Sequence, residues 1–440
     1  MVKYFGTDGI RAEAKVILDQ RFGYWIGKSL KMINHDRLTV FVARDTRQSG
    51  SMIIEQIKKG LFESGIDVYD LGVFPTPVLA YFTQLNQTYG MMVTASHNPY
   101  TDNGIKIFNQ GKKLSKEEES LIEKVIDGEI MIEEASSLGK NIEFKEAMNQ
   151  YETLYKDVFV QSNLKIALDL ANGAATSTAE RIFSKITPHL VVVANQPNGE
   201  NINRDCGSTH LGLLQQTVIE HECDLGIAFD GDADRLMVVD HQGEICDGDI
   251  LIYLFASYLK AHKLLKNKFV ALSKMCNIGI IKALKEKDID VIQTDVGDKY
   301  IFEAIEKNDG VLGGENSGHI INKLLFDSGD GVLNGAFLIK VLEYYKLPLN
   351  KLKEQVNYYP DKLVNLRDYN KDLVNEKQVI DLVDMYRKRL GDDGKVLVRA
   401  SGTENLIRIS VSALTEQLVE EIIDDIKSLI IKLSNERNIT

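Results

Sequence analysis

Basic charge is in short supply in this chain: 52 Lys and Arg stand against 64 Asp and Glu, a net charge of −12. That deficit argues against nucleic acid or an anionic membrane as the main partner, because both demand a broad basic surface. It leaves a phosphorylated substrate open, since a few local cations and oriented N–H groups suffice to bind one. Cysteine is scarce too. Cys206, Cys223, Cys246 and Cys276 show neither a CxxC pair nor a histidine at zinc spacing, and they read as reduced, half-buried thiols of a cytosolic protein. No apolar run approaches the ~18 residues of a membrane span. Residues 1–11 hold no apolar signal core, so the chain is expected in the cytoplasm. With seven prolines and no low-complexity tract, any spacer between domains must be short.

A length of 440 residues exceeds one hydrophobic core and suggests three or four domains of ~100–150 residues. Helical and strand patterns alternate along most of it. Residues 18–33, 51–64 and 277–286 read as helices, and 38–43, 89–94, 165–170, 190–194, 225–229, 269–272 and 291–294 as apolar strands. Short β-rich runs alternating with helices imply mainly parallel sheets covered on both faces. The tail differs: a helix over 376–390, strands over 395–399 and 406–411, and a helix over 415–433 fit a small α+β domain with a partly antiparallel sheet. The expected fold is therefore three consecutive α/β domains, residues 1–153, 154–250 and 251–364, followed by a smaller α+β domain, 365–440.

Four loops hold the residues suited to chemistry. Asp230-Gly231-Asp232-Ala233-Asp234-Arg235 follows an apolar strand, and its three carboxylates can converge on one hard cation through oxygen. It is not an EF-hand, because Arg235 and His241 replace the glycine and glutamate that loop requires. A phosphatase with Asp230 as nucleophile and a plain polar turn are the rival readings. Thr94-Ala95-Ser96-His97-Asn98-Pro99 also follows a strand and ends in a turn dipeptide, with no Gly-x-Ser-x-Gly elbow around Ser96. Lys106, a few residues on, either returns to that loop or lies on the surface. Gly313-Gly314-Glu315-Asn316-Ser317-Gly318-His319 surrounds short polar side chains with glycines, as a sugar-binding loop or a capped turn would. Arg399-Ala400-Ser401-Gly402-Thr403-Glu404-Asn405, with Arg408 beyond it, offers hydroxyls, an N–H and guanidiniums to a phosphate. A P-loop is missing; the nearest stretch, 23–29, lies within a helix pattern and reads as core.

Taken in this order, the four loops resemble the α-D-phosphohexomutase superfamily over essentially the whole chain. The resemblance implies four domains around one central cleft, each contributing a loop. It implies an isomerase with Ser96 as a phosphoserine, and one Mg²⁺ held by Asp230, Asp232, Asp234 and the Ser96 phosphate. Glu315 and Ser317 would hold sugar hydroxyls, and Arg399, Ser401, Gly402, Thr403 and Arg408 would hold the phosphate that does not react. Arg11, Lys106, Arg235 and His319 fall on positions around the transferring group, with Lys106 and His319 the candidates for the base. A sugar 1,6-bisphosphate would be the intermediate.

Three further segments resemble the branch that acts on glucosamine phosphates: Tyr4-Phe5-Gly6-Thr7-Asp8-Gly9-Ile10-Arg11, Ala43-Arg44-Asp45-Thr46-Arg47-Gln48-Ser49-Gly50, and 201–210 with Asn201, Asn203, Cys206 and His210. Asn316 points the same way. The implied activity interconverts glucosamine 6-phosphate and glucosamine 1-phosphate. The alternatives are the mannose/glucose branch of the superfamily and a non-catalytic sugar-phosphate-binding protein. Ala12, Thr94 and Asn405 depart from the usual Gly, Ser and Pro. The expected partner is a small phosphosugar, with no nucleic acid and no membrane, and a homodimer is an open option for assembly.

Overall fold

Val40, Phe41, Val42 and Ala43 are consecutive apolar residues of which none is more than 1% exposed, the pattern of a strand covered on both faces. They form the strand Thr39–Arg44 near the middle of the first of the four sheets among the described residues. The computed structural model describes residues 3–6, 8–33, 39–401 and 406–439. They fall into two compact units, one running to Met275 and including Ile289–Lys353, the other made of Cys276–Asp288 and the residues from Glu354 onward.

Three sheets lie in the first unit. The first runs Ile10–Glu13, Asp102–Asn109, Tyr89–Val93, Thr39–Arg44, Asp67–Val73, Asn141–Ile142, with Lys112–Lys113 beside Asp102–Asn109. From Tyr89–Val93 onward its strands are mutually parallel, whereas Asp102–Asn109 is antiparallel to both its neighbours in that order. The second runs Ile245–Cys246, Leu236–Asp240, Leu225–Phe229, Ile166–Asp169, Leu190–Val193, parallel over the last three. The third runs Asp290–Thr294, Phe269–Ser273, Leu312–Gly314, Ile320–Asn322, parallel over the first three.

The parallel cores match expectation, but every sheet also carries antiparallel pairs, and these have one thing in common. Tyr89–Val93 returns as Asp102–Asn109, Leu225–Phe229 as Leu236–Asp240, and Leu312–Gly314 as Ile320–Asn322. Each candidate loop of this unit is the bend in such a pair. The loops therefore sit at the carboxyl ends of buried strands, where α/β sheets place their ligands.

Apolar periodicity over 18–33 suggested one helix. The chain instead forms Ala14–Asp19 and Phe22–Ile33, with Arg21 between them at φ +54° breaking the helical path. The stretch 23–29 lies inside Phe22–Ile33 with most of its residues buried, as core. This helix crosses Gly50–Glu63 very closely. A Cβ on Gly27 would lie 2.3 Å from the Ile57 carbonyl, and one on Gly60 would lie 2.1 Å from the Tyr24 carbonyl.

In the second unit Leu406–Ala413 is flanked by Asp361–Arg367 and Gly394–Ala400, antiparallel throughout rather than in part. The strand Asp361–Arg367 was not anticipated; its alternating burial is weak because most of its residues are exposed. Ile407, Ile409 and Val411 pack with Val383 and Tyr386 of Lys377–Leu390 and with Ile422, Ile426 and Ile430 of the closing helix Glu416–Ile439. Among the described residues no helix is long and apolar enough to cross a membrane.

The glycine crossing gives a direct test. Alanine at Gly60 gains ~1 kcal/mol in helix propensity, but its methyl group overlaps backbone that cannot move aside. We expect Gly60→Ala to lower stability by a net ~1–3 kcal/mol, read as a lower urea midpoint. A midpoint at or above that of the parent would show that the helices do not meet this way.

Candidate active site

Ser96 leaves the fully buried strand Tyr89–Val93 in a left-handed conformation, φ +53°, which a residue with a Cβ adopts only when held. Its own N–H donates to Thr94 Oγ1 at 2.9 Å, and Thr94 Oγ1 donates to Asp45 Oδ2 at 2.7 Å. The side chain is thereby turned toward the second sheet, and Ser96 Oγ donates to Asp230 Oδ2 at 2.6 Å. His97 Nδ1 lies 3.3 Å from Ser96 Oγ. Burial, then the Arg235 and Arg11 guanidiniums, push the His97 imidazole down to about 4, so it is neutral near pH 7.

The aspartate loop meets this serine backbone to backbone. A Cβ on Gly231 would sit 2.5 Å from the Ser96 carbonyl oxygen, so glycine is required by the approach. Asp230, Asp232 and Asp234 are all buried, with one oxygen from each lying within 4.8 Å of the others. Burial, then Asp234 and Asp232, hold the Asp230 carboxyl well above the usual carboxylate range. For Asp234 the upward push of burial is outweighed, first by Lys106 and then by His319, and the carboxyl falls well below that range.

Lys106 is the counter-charge. It stands opposite Met92 on Asp102–Asn109, is 2% exposed, and its Nζ reaches Asp232 at 2.7 Å, Asp234 at 3.1 Å and Asp8 at 3.0 Å. The reading of Lys106 as a surface residue is excluded. Burial pulls its ammonium pKa down, but the three carboxylates outweigh it and raise it well above the ordinary value.

Of the other expected residues, Arg11 pairs with Asp8, and Arg235 Nε lies 3.8 Å from Asp234 Oδ1. The buried His319 ring lies between two carboxylates, 3.7 Å from Asp234 and 3.8 Å from Asp298. Glu315 accepts a 2.9 Å bond from Gly297 N–H at the start of the helix Asp298–Lys307, and Asn316 and Ser317 are half-buried beside it. Ser96, Lys106, Arg11, Arg235, Asp230, Asp232, Asp234, Glu315 and His319 thus belong to one site in the first unit. In the second unit, Arg399 and Arg408 are cross-strand partners, on one face, and Ser401 is buried next to them. Gly402, Thr403 and Asn405 lie outside the described residues.

Several members of the site carried no individual signal. Thr76, at the N-terminus of the helix Thr76–Leu85, touches Asp232 through Oγ1 at 2.5 Å and through a 2.9 Å N–H bond to its carbonyl. Lys113 bridges Asp8 at 2.7 Å and Asp298 at 2.6 Å. Pro77 one step after Thr76 was a readable helix start; nothing local marked Lys113 or Asp298.

The donor set suits a hard dication, since it consists of carboxylate oxygens alone. Asp232 Oδ1 and Asp234 Oδ1 are buried and accept no hydrogen bond, while Arg11 Nε and Arg235 Nε nearby are buried and donate none. Carboxylate oxygens without a hydrogen bond, beside guanidinium Nε–H groups that donate none, fit a cation and an anionic group bound side by side.

Comparison with known proteins agrees across the chain. Residues 2–132, 144–243 and 247–359 match the families described as phosphoglucomutase/phosphomannomutase alpha/beta/alpha domains I, II and III. Residues 360–429 match the C-terminal domain of the same series. A phosphoglucosamine mutase from Lachnoclostridium phytofermentans is 38% identical over 97% of this chain and 97% of its own length. One from Fusobacterium nucleatum is 41% identical over 99% of this chain and 100% of its own. The crystal structure of a phosphoglucomutase/phosphomannomutase family protein from Burkholderia thailandensis superposes with a TM-score of 0.81 at 23% identity, covering 99% of this chain and 98% of that one.

The carboxylate cluster makes a prediction independent of catalysis. Mg²⁺ at about 100 times its Kd should stabilise the protein by roughly 2.7 kcal/mol, seen as a raised thermal midpoint. Asp232→Asn should abolish most of that rise. An equal rise in both proteins would place the cation elsewhere.

Proposed function

Since the chain belongs to the phosphoglucomutase/phosphomannomutase family of α-D-phosphohexomutases, we propose that it acts as a phosphoglucosamine mutase, interconverting glucosamine 6-phosphate and glucosamine 1-phosphate. The observation that carries this reading is the placement of Ser96 Oγ 2.6 Å from Asp230, with Lys106 tying the neighbouring carboxylates together. Identity of 38% and 41%, over nearly the whole of both chains, to relatives named phosphoglucosamine mutase supports the substrate.

Phosphoryl transfer asks a protein mainly for positioning and charge neutralisation. Ser96 carries the phosphoryl group. Asp230, Asp232 and Asp234, with an oxygen of that group, would hold one Mg²⁺, which when bound supplies positive charge against the phosphate. Arg11 and Arg235, whose buried Nε–H groups donate no hydrogen bond, would supply donors to the transferring oxygens. Glu315, Asn316 and Ser317 orient the sugar through its hydroxyls and amine, and Glu315 is itself fixed by Gly297 N–H. His319 is the group proposed to handle the hydroxyl proton. Lys106, expected from the sequence as the other candidate base, is held as an ammonium by three carboxylates and serves instead to neutralise the charge that develops.

Arg399, Ser401, Gly402, Thr403 and Arg408 take the phosphate that is not reacting. A sugar 1,6-bisphosphate forms, turns end for end and returns its other phosphate to Ser96. One cradle must then accept either end of the sugar, a task suited to hydroxyls and guanidiniums rather than to a shape-specific pocket. The domains carrying the four loops are placed at 1–153, 154–250, 251–364 and 365–440, and the enzyme in the cytoplasm.

Ser96→Ala should reduce mutase turnover by at least about 10³-fold, the loss expected when a covalent nucleophile is removed, while the thermal midpoint stays near that of the parent. At matched concentrations glucosamine 6-phosphate should turn over faster than mannose or glucose 6-phosphate. Near-normal turnover by Ser96→Ala would end the proposal, and a preference for the neutral sugars would move the enzyme to the other branch.

A further inference from the structure

Two of the segments that mark the chain's branch, 43–50 and 201–210, have no part in the chemistry above, yet their side chains converge on a single atom. The Ser96 carbonyl oxygen accepts hydrogen bonds from Arg47 Nη2 at 2.9 Å and from Asn203 Nδ2 at 2.9 Å. The same two groups hold the Asn98 carbonyl, at 2.9 Å and 3.2 Å, and Arg47 Nη1 reaches the Pro99 carbonyl. Arg47 Nε meets Asp45 Oδ2 at 2.9 Å, and Asp45 in turn accepts the Thr94 hydroxyl that holds Ser96 N–H. The serine is gripped at its amide and at its carbonyl.

This arrangement is expensive to build. Arg47 is wholly buried, and a guanidinium leaves water only when its donors are satisfied. Here they are spent on three carbonyls of one loop. That loop holds Ser96 at φ +53°, a conformation costing ~1–3 kcal/mol for a non-glycine residue. Asn203 reaches in from the aspartate-loop side, where a Cβ on Gly231 would meet both the Ser96 carbonyl, at 2.5 Å, and Asn203 Nδ2, at 2.9 Å.

Resting on the reading of Ser96 as the phosphoryl carrier, we propose that Arg47 and Asn203 are positioning residues, which clamp the Ser96 carbonyl so that its Cα–Cβ bond points Oγ at the carboxylates. With the clamp released, the backbone relaxes toward negative φ and swings Oγ off the transfer line. Displacements of that kind cost rate and not affinity, because the sugar is held by other loops.

Asn203 allows a clean cut. Its own φ is +56°, so Asn203→Gly removes the amide without backbone strain. We expect kcat on glucosamine 6-phosphate to fall about 10²-fold while KM changes less than about threefold, with the thermal midpoint still well above the assay temperature. Amide exchange over 94–99 in the free enzyme should quicken, with distant peptides unchanged. Arg47→Met should act in the same direction, and Arg47→Lys should recover part of the loss. If Arg47→Met fails to fold, Asn203→Gly decides alone. Parental kcat and unaltered exchange in Asn203→Gly would overturn the clamp. Failure of the underlying reading looks different: the parent enzyme itself would turn over no phosphosugar, while the exchange measurement would still report on the clamp.

Discussion

Three carboxylates buried in one loop set the terms for everything else in the first unit. Two ionised carboxylates within 4.8 Å of each other repel by about 3 kcal/mol at an effective dielectric of about 20, and with all three ionised Asp230, Asp232 and Asp234 would form three such pairs. The fold answers with Lys106, placed against two of them and against Asp8, and with Arg235 and His319 at the rim. The balance is incomplete, because two carboxylate oxygens keep no hydrogen bond. On the proposed reading a dication would complete it. The same unfinished charge that makes the loop costly to fold would then give a phosphorylated Ser96 its partner, so stability and function would draw on one feature.

The elements that present this charge are built alike. A buried parallel strand ends, a short loop turns, and an antiparallel strand leads back, three times in the first unit. In the second unit Gly394–Ala400 and Leu406–Ala413 are also an antiparallel pair, but a half-exposed one in a sheet without parallel strands. An antiparallel return fixes both ends of a loop by ladder hydrogen bonds, which suits side chains that must hold position to within a fraction of an ångström. Thr94, where serine is common, fits this frame: its hydroxyl keeps both the Asp45 and Ser96 bonds. Ala12, where glycine is usual, sits in an ordinary strand position opposite Asn103.

What could be read from the residues was whatever is local. Leu225–Phe229 is five apolar residues before Asp230, and strand and loop follow from that contrast alone. Ser96, the aspartates and the Glu315 loop were legible for the same reason. The return strands were less so, because Asp102–Asn109 and Ile320–Asn322 are short or polar at one end and resemble loop. Least legible were partners distant in sequence. Thr76 meets Asp232 across 156 residues and Lys113 meets Asp298 across 185, and no local pattern encodes such pairings. Arg47 and Asn203 were visible as motif members, but what they grip is backbone, which no side-chain pattern announces.

The central claim is that Ser96 carries the phosphoryl group in front of the carboxylate loop, and one measurement addresses it without relying on rates. The protein is incubated with a sugar 1,6-bisphosphate, desalted, and its phosphate located by intact-mass and peptide mapping before and after glucosamine 6-phosphate is added. The account predicts a single phosphate on the peptide containing Ser96, lost when the monophosphate arrives. Phosphate found on Asp230, or a phosphoserine that the monophosphate leaves untouched, would contradict it.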